Sequence, residues 1–230
     1  MNTENDSAKL GGQVALFPLP GTVFYPNTHL PLHIFEPRYR KMVTDALEGD
    51  RRIGMVLLKP GWEADYYGAP PIVSVGCVGK IDQYFQFDDG KFDIVLRGAG
   101  RFRVVREEGG KPYRRADIEF LREINDQDIQ GGTHPLKRDL IDHYHQLTRL
   151  LPPGKKNREE TGWDSCRNLS HLVDQIAYRS NLSVEQRQSF LEEQDVLRRA
   201  ETLLSVIKMN IDLIHLSKIQ KGLGTDVRMN

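Results

Sequence analysis

The sequence contains few cysteines and no long apolar stretch. Its 230 residues include only Cys77 and Cys166 and no Cys-x-x-Cys pair, so neither a zinc ribbon nor a thioredoxin-type redox site is expected. No run of about 18 apolar residues is present, which excludes an ordinary transmembrane helix. The first residues, MNTENDSAKLGGQ, also lack the apolar core of a signal peptide. We therefore expect a cytoplasmic protein with reduced thiols and no membrane contact.

An excess of positive charge is also absent. Lys and Arg together number 32, as do Asp and Glu, so the formal net charge is zero. Affinity for phosphate groups comes largely from clustered Lys and Arg, so nucleic acid is not the expected partner. A local basic patch stays open as an alternative, because one segment, RGAGRFRVVR, carries four arginines: Arg97, Arg101, Arg103 and Arg106.

Motifs for nucleotides and metals are missing as well. No G-x-x-x-x-G-K-[ST] loop occurs, and the nearest candidate has Val105 where the first glycine belongs. His29 and His33 are four residues apart, but Pro31 lies between them and the local pattern is that of a strand. On a strand this spacing spans about 13 Å, too far to share one ion. We expect no metal, no cofactor and no catalytic residue.

The hydrophobic pattern divides the chain near residue 125. Strands and turns dominate residues 1–125, and helices dominate residues 126–230, which predicts two domains with these bounds. In the first part, HLPLHIF at 29–35 alternates between apolar and other residues, as in a half-buried strand. Pro31 cannot donate a main-chain hydrogen bond, which predicts a sheet edge there. A short amphipathic helix is predicted over 37–48, with a proline at its first position.

Turn and cap signals divide the remaining sequence into elements. Asp88-Asp89-Gly90 predicts a hairpin between two long extended segments. In the second part, helices are predicted over 164–179 and about 195–220, and SVEQ at 183–186 has the pattern of a capping box. Four glycines that interrupt the strands predict bulges or bends that would curl the sheet: Gly76, Gly79, Gly98 and Gly100.

Residues 14–47, VALFPLPGTVFYPNTHLPLHIFEPRYRKMVTDAL, strongly resemble the start of the Lon protease N-terminal domain. That family begins with an LFPLP-type strand and continues to a PL-x-IFE-x-RY segment. The similarity continues in order through RRIGMVLL, VGCVGKI, DIVLRGAGRFRVV, YRRADIEFL and the helical LVDQIAYRSNLSVEQRQSFLEEQDVLRRAETLLSVI. It covers about residues 13–214. Several ordered motifs make the resemblance far more specific than one short pattern.

The resemblance implies an α+β fold: an N-terminal PUA-like β pseudo-barrel with one short helix, followed by a C-terminal helical bundle that ends in a long helix. It also implies a non-catalytic module that binds unfolded or tagged protein and acts as an adaptor to a separate protease. No serine–lysine peptidase segment is present in these residues. A specific protein partner, an RNA-binding PUA-like module and an enzyme of unrecognised chemistry remain as alternatives.

The candidate binding residues lie at the edge strand and in aromatic loops. Glu36 and Arg38, which match the family motif, are expected to order the junction between strand and helix by an ion pair or by capping the helix. Aromatic side chains supply contact area at low entropy cost and anchor many interfaces. The candidate polypeptide-binding residues are Pro31, His33, Phe35, Trp62, Tyr66, Tyr67, Phe85 and Phe87.

Overall fold

The structure is a computed structural model that describes residues 10–129, 134–151, 163 and 166–226, with main chain alone for the first two and the last six of them. Its contacts form two compact units, which we name the strand unit (1–123 with 180–194) and the helical unit (124–179 with 195–230). The domain boundary predicted near residue 125 stays a prediction. Within the described ranges, no helix combines the length and the apolar character needed to cross a membrane.

The strand unit is built on one six-stranded sheet that closes on itself. The order is β2-β5-β4-β3-β1-β6, and β5 also pairs with β6, so that five strands form a ring and β2 lies outside it on β5. With its helices α1 and α4, this arrangement confirms the predicted α+β pseudo-barrel. The elements are β1 (Leu10–Leu19), β2 (His29–Ile34), α1 (Pro37–Glu48), β3 (Arg52–Leu57), β4 (Val75–Gln86), β5 (Phe92–Glu108), β6 (Arg115–Phe120) and α4 (Val184–Glu192).

The ring encloses an apolar core. Phe102 of β5 is fully buried there, and each of the other four ring strands contributes at least one of the remaining side chains. Strand periodicity of two sends alternate residues inward, which is why short apolar alternations suffice to build the core. The buried cluster consists of Val14, Leu16, Val56, Val78, Phe102, Ala116 and Ile118.

Strand β2 confirms the predicted alternation and the predicted edge. Leu30, Leu32 and Ile34 are the more buried residues, and the residues between them are exposed. The strand runs antiparallel to β5, with Pro31 opposite Val95, and among the described residues no further strand pairs with it. A proline is tolerated at this place because the outer edge needs no ladder hydrogen bond.

A bulge bends the long β4–β5 hairpin. Val78 pairs with Gly100 and Gly79 with Gly98, which leaves Ala99 as the extra residue. A side chain at Gly98 would place its Cβ 2.0 Å from the main-chain oxygen of Tyr25, so the close approach requires glycine there. The glycine prediction is confirmed for this part of the sheet.

The helical unit contains α2 (Pro135–Leu150), α3 (Leu169–Arg179) and the long α5 (Val196–Asp226). The prediction that α3 begins at residue 164 is wrong. Asn168 accepts a hydrogen bond from the His171 amide, 3.2 Å away, and so caps a helix that begins one residue later. The long helix is six residues longer than predicted at its end. The sequence KKNREETGW at 155–163 is polar, as in a loop, and it lies outside the described residues apart from Trp163.

The predicted capping box is present at α4. The hydroxyl of Ser183 accepts from the amide of Gln186, and the side chain of Gln186 accepts from the amide of Ser183. Both partners are close in sequence, which is why this motif can be found without knowledge of the fold.

Candidate functional site

Four of the predicted binding residues meet at the outer end of the sheet, and we name them the aromatic cluster: His33, Phe35, Phe85 and Phe87. The rings of Phe85 and Phe87 pack edge to face with centroids 4.9 Å apart. The ring centroid of His33 lies 6.0 Å from that of Phe87 and 6.2 Å from that of Phe35. The four side chains therefore form one continuous surface.

Strand register brings these residues together. In the β2–β5 pairing His33 is opposite Asp93, and in the β5–β4 pairing Asp93 is opposite Phe85. Pro31 lies opposite Val95 in the same way. Residues aligned across a sheet share a face, so a histidine, an aspartate and a phenylalanine from three strands lie side by side.

The aromatic cluster is exposed because β4 runs past the core. Beyond Ile81 every residue of β4 is exposed, on both faces of the strand. Phe35 is 58% exposed, Phe85 61% and Phe87 37%. This is an unusual position for three phenylalanines, which are normally among the most buried residues.

A groove of about 480 Å³ runs beside the aromatic cluster. Its lining comes from β2, β5 and the end of β4, and includes Pro31, His33 and Phe85. His33 Nδ1 lies 2.7 Å from Asp93 Oδ1, with both side chains half exposed, so the groove is mainly apolar with one polar pair. Tyr84 also lines it and is 51% exposed, although the sequence prediction did not include that residue. The signal for Tyr84 was its place beside the hairpin turn.

The remaining predicted residues form a second group around Arg38. The ring of Tyr66 packs against Trp62 at 5.4 Å and against Tyr67 at 5.2 Å. The Arg38 guanidinium lies 5.1 Å from the Tyr66 ring centroid, as expected for a cation–π contact. We name Trp62, Tyr66 and Tyr67 the tyrosine loop. In the described part of the chain no ring contact joins it to the aromatic cluster, so the eight predicted residues divide into two places.

Glu36 fixes the tyrosine loop. Its carboxylate accepts hydrogen bonds from Arg38 Nε at 3.0 Å and from the Tyr66 hydroxyl at 2.7 Å. Burial raises the pKa of Tyr66, and the hydrogen bond to Glu36 raises it further. Glu36 occupies the N-cap position of α1 but makes no side-chain capping bond, so the capping alternative is wrong and the pairing with Arg38 is confirmed.

The arginines of RGAGRFRVVR do not share one surface. Arg101 is buried, donates to the main-chain oxygen of Leu191 at 3.1 Å and pairs with Glu123 at 2.7 Å. Arg106 is exposed and pairs with Asp117 at 2.9 Å. A phosphate-binding face would need these charges together on one surface.

Metal-binding and thiol chemistry find no support at the described residues. Within those ranges no three His, Cys, Asp or Glu side chains are close enough to hold one ion. Cys77 and Cys166 are both buried thiols that form no disulfide bond. Cys166 precedes α3 by three residues, so it lies outside the helix although the predicted range of 164–179 included it.

Comparison with known proteins finds Lon proteases among the relatives of this chain. The Lon protease of Dictyoglomus thermophilum is 25% identical over 231 residues, covering 97% of this chain and 28% of the relative. The Lon protease of Escherichia coli K12 is 26% identical over 207 residues, covering 90% of this chain and 26% of the relative. The chain thus spans about a quarter of the length of the curated relatives it matches.

Two solved structures share the fold. The crystal structure of a Lon N-terminal domain protein from Xanthomonas campestris has a TM-score of 0.61 and 25% identity, covering 84% of this chain and 97% of that one. The N-terminal domain of Mycobacterium avium complex Lon protease has a TM-score of 0.62 and 18% identity, covering 85% and 98%. The family described as the ATP-dependent protease La (LON) substrate-binding domain matches residues 13–209. Because that match covers most of the sequence, the chain belongs to the Lon substrate-binding domain family.

Proposed function

We propose that this chain binds exposed apolar segments of other polypeptides on the aromatic cluster and in the groove beside it. The observation that carries the proposal is the exposure of Phe35 and Phe85, at 58% and 61%, next to a groove of about 480 Å³. The free energy falls when a partner covers a water-exposed aromatic ring, and such rings dominate many protein interfaces. The role requires no catalytic residue.

The groove supports side-chain contact better than strand addition. Addition of a strand to β2 would use main-chain hydrogen bonds along its outer edge. Pro31, in the middle of β2, has no N–H to donate and so interrupts such a ladder. Apolar contacts with Phe85 and its neighbours tolerate many ligand sequences, as binding of unfolded chains requires.

Delivery of the bound polypeptide to a separate protease is the further role that we propose for the chain as an adaptor. Its support is the family, whose curated members above are named Lon protease. The adaptor role depends on polypeptide binding, which therefore has to be measured first.

The test is fluorescence anisotropy with a labelled, permanently unfolded protein and with its folded form as control. We expect saturable binding of the unfolded form alone, little affected by salt, with the probe left intact. Phe35→Ala and Phe85→Ala should each weaken binding by about tenfold, as truncation of an interface anchor does. Val105→Ala is the matched control, because Val105 is apolar and also 58% exposed but lies outside the cluster.

Two results would contradict the proposal. One is an absence of binding at tens of micromolar protein. The other is an equal effect of Phe85→Ala and Val105→Ala. Binding of labelled RNA that weakens steeply with salt would favour the nucleic-acid alternative instead.

A further inference from the structure

A second cavity, of about 230 Å³, lies between the N-terminal part of α1, the tyrosine loop and the turn that joins β5 to β6. Among the residues that the structure describes, three cationic side chains line it, namely Arg38, Lys111 and Arg114, and no carboxylate does. Tyrosine and proline side chains supply most of its remaining walls, together with Leu58 and two glycines. We name it the cationic pocket.

Carboxylates outside the lining hold the three cations in place. Arg38 pairs with Glu36 at 3.0 Å, and Lys111 pairs with Asp45, also at 3.0 Å. Arg114 is held through two nitrogens by Glu107 and donates a third hydrogen bond, of 2.6 Å, to the main-chain oxygen of Pro70. The positive groups are therefore ordered before any ligand arrives, which lowers the entropy cost of binding.

Each cation of the pocket has a carboxylate partner: Glu36 for Arg38, Asp45 for Lys111 and Glu107 for Arg114. Asp45 also pairs with Lys41 at 2.7 Å, so Lys111 shares its carboxylate with a second lysine. The side chains of Arg38 and Arg114 are only 20% and 16% exposed, and partial burial strengthens their interaction with a ligand charge.

Arg38 is stacked among tyrosine rings. Its guanidinium carbon lies 4.6 Å from the Tyr39 centroid, 5.1 Å from that of Tyr66 and 6.0 Å from that of Tyr67. Nε donates to Glu36, and Nη2 donates to the main-chain oxygen of Tyr66 at 3.3 Å.

Two tyrosines of the pocket, Tyr39 and Tyr113, stay neutral at physiological pH. Burial raises the pKa of Tyr39 to about 12. Burial and the hydrogen bond to Asp45 raise the pKa of Tyr113 to about 12. Their rings therefore add apolar walls without adding negative charge, and the charged part of the lining is entirely positive.

We propose that the cationic pocket binds the terminal carboxylate of a polypeptide. Guanidinium groups match a carboxylate in geometry and charge, and hydrogen bonds between ions are the strong ones. A typical small-molecule site has a volume of roughly 300 Å³ or more, and this cavity is smaller. A cavity of this size fits the end of a chain better than a folded surface. The inference rests on the proposed function only in taking the ligand to be a polypeptide.

The test compares two short labelled peptides of one apolar sequence, the first with a free C-terminal carboxylate and the second with a C-terminal amide. At fixed salt we expect the acid to bind about tenfold more tightly than the amide. Lys111→Gln and Arg38→Lys should reduce this ratio towards one while the Kd of the amide stays unchanged. Lys111→Gln keeps the test valid if the Arg38 variant proves unstable.

Lys91→Gln is the matched control. Lys91 is 41% exposed and pairs with Asp89 at 2.6 Å, whereas Lys111 is 40% exposed and pairs with Asp45 at 3.0 Å. The control should retain the preference for the acid. The bound carboxylate could belong to the end of a polypeptide or to a free small acid, and competition with acetate distinguishes the two. We expect acetate to displace the peptide only at far higher concentration.

The outcomes separate this inference from the proposed function. An equal Kd for the acid and the amide peptide would overturn the proposal that the cationic pocket binds a carboxylate. This holds whether or not the unfolded probe still binds through Phe85. A preference for the acid that Phe85→Ala leaves intact supports the pocket even where the aromatic cluster fails. Displacement of the acid peptide by inorganic phosphate at concentrations where acetate has no effect would assign the pocket to phosphate and overturn the inference.

Discussion

The hydroxyl of Tyr25 donates a hydrogen bond to the main-chain oxygen of Arg187, 2.7 Å away, although 162 positions separate the two residues in the sequence. Two further side chains link the same segment to the strands. Gln188 donates to the main-chain oxygen of Val75 at 3.1 Å, and Arg101 donates to that of Leu191, also at 3.1 Å. These bonds explain why α4 is part of the strand unit despite its place among the helices of the sequence.

Tyr25→Phe should therefore lower the free energy of unfolding. Tyr25 is fully buried, and the substitution removes the hydroxyl that donates to the main-chain oxygen of Arg187. We expect a cost of about 1–2 kcal/mol, measured by urea unfolding followed by circular dichroism. Tyr84→Phe, at a residue that is 51% exposed, is the control and should leave stability unchanged. Equal midpoints for the two variants would show that the Tyr25 bond contributes nothing.

Gly98→Ala should be far more damaging than Gly100→Ala. At Gly98 a Cβ would lie 2.0 Å from the main-chain oxygen of Tyr25 and 2.9 Å from the Cα of Pro26, and neither atom can move without shifting the chain. At Gly100 its nearest neighbour would be a ring atom of Phe120 at 3.6 Å, an ordinary contact. We expect a loss of about 3 kcal/mol or more for the first variant and little change for the second. Similar urea midpoints would contradict the close approach at Gly98.

Much of the fold could be predicted because its signals are local. The alternation of β2, the helix that starts at Pro37 and the capping box at Ser183 each depend on residues within a few positions of one another. The start of α3 was placed too early because the Asn168 cap depends on the chain direction at that point, which composition does not show. The place of α4 depends on the Tyr25–Arg187 bond, whose partners no local pattern connects.

The candidate site could be predicted residue by residue but not in its arrangement. Aromatic residues beside a hairpin indicated an exposed surface, and the structure shows that Phe35, Phe85 and Phe87 are exposed. Their convergence with His33 depends on the register of three strands, one of which is distant in sequence. The cationic pocket depends even more on tertiary structure, because Arg38 and Arg114 are 76 positions apart and only the closed ring brings them to one cavity.

Asp45 should make the stability of the chain depend on acid pH. It accepts hydrogen bonds from Lys41 at 2.7 Å, Tyr113 at 2.7 Å and Lys111 at 3.0 Å, which hold its pKa well below the ordinary 3.8. A carboxyl with a depressed folded pKa binds fewer protons when folded than when unfolded. Its stabilisation is therefore complete above about pH 4 and is lost as the pH falls further through the folded pKa.

Asp45→Asn should flatten that dependence. We expect the variant to be less stable than the wild type by about 1–2 kcal/mol near neutral pH, and the difference should shrink below about pH 4. Urea midpoints across the acid range provide the measurement. Asp89→Asn is a useful control, because Asp89 also has a lowered pKa but its side chain is 53% exposed, where ion pairs contribute little. A constant difference between wild type and Asp45→Asn at every pH would contradict the role of its charge.

The buried pair of Arg199 and Asp174 should dominate the stability of the helical unit. Their side chains are 0% and 1% exposed, with Nη2 and Oδ1 3.9 Å apart, and Nη2 also donates to the hydroxyl of Ser170 at 3.0 Å. Removal of the Asp174 carboxylate takes a counter-ion away from the buried guanidinium, so Asp174→Leu should cost about 3–5 kcal/mol.

The double variant Asp174→Leu/Arg199→Met separates the cost of an unpaired charge from the value of the pair. Because neither charge remains buried, it should recover much of the stability that Asp174→Leu loses. Trp163 reports on the helical unit, since its ring lies 5.5 Å from that of Tyr144, and a Trp62→Phe background removes the other tryptophan. Fluorescence in urea then gives the unfolding midpoint. A double variant less stable than Asp174→Leu would show that the arginine stabilises the unit through its other contacts and not through the ion pair.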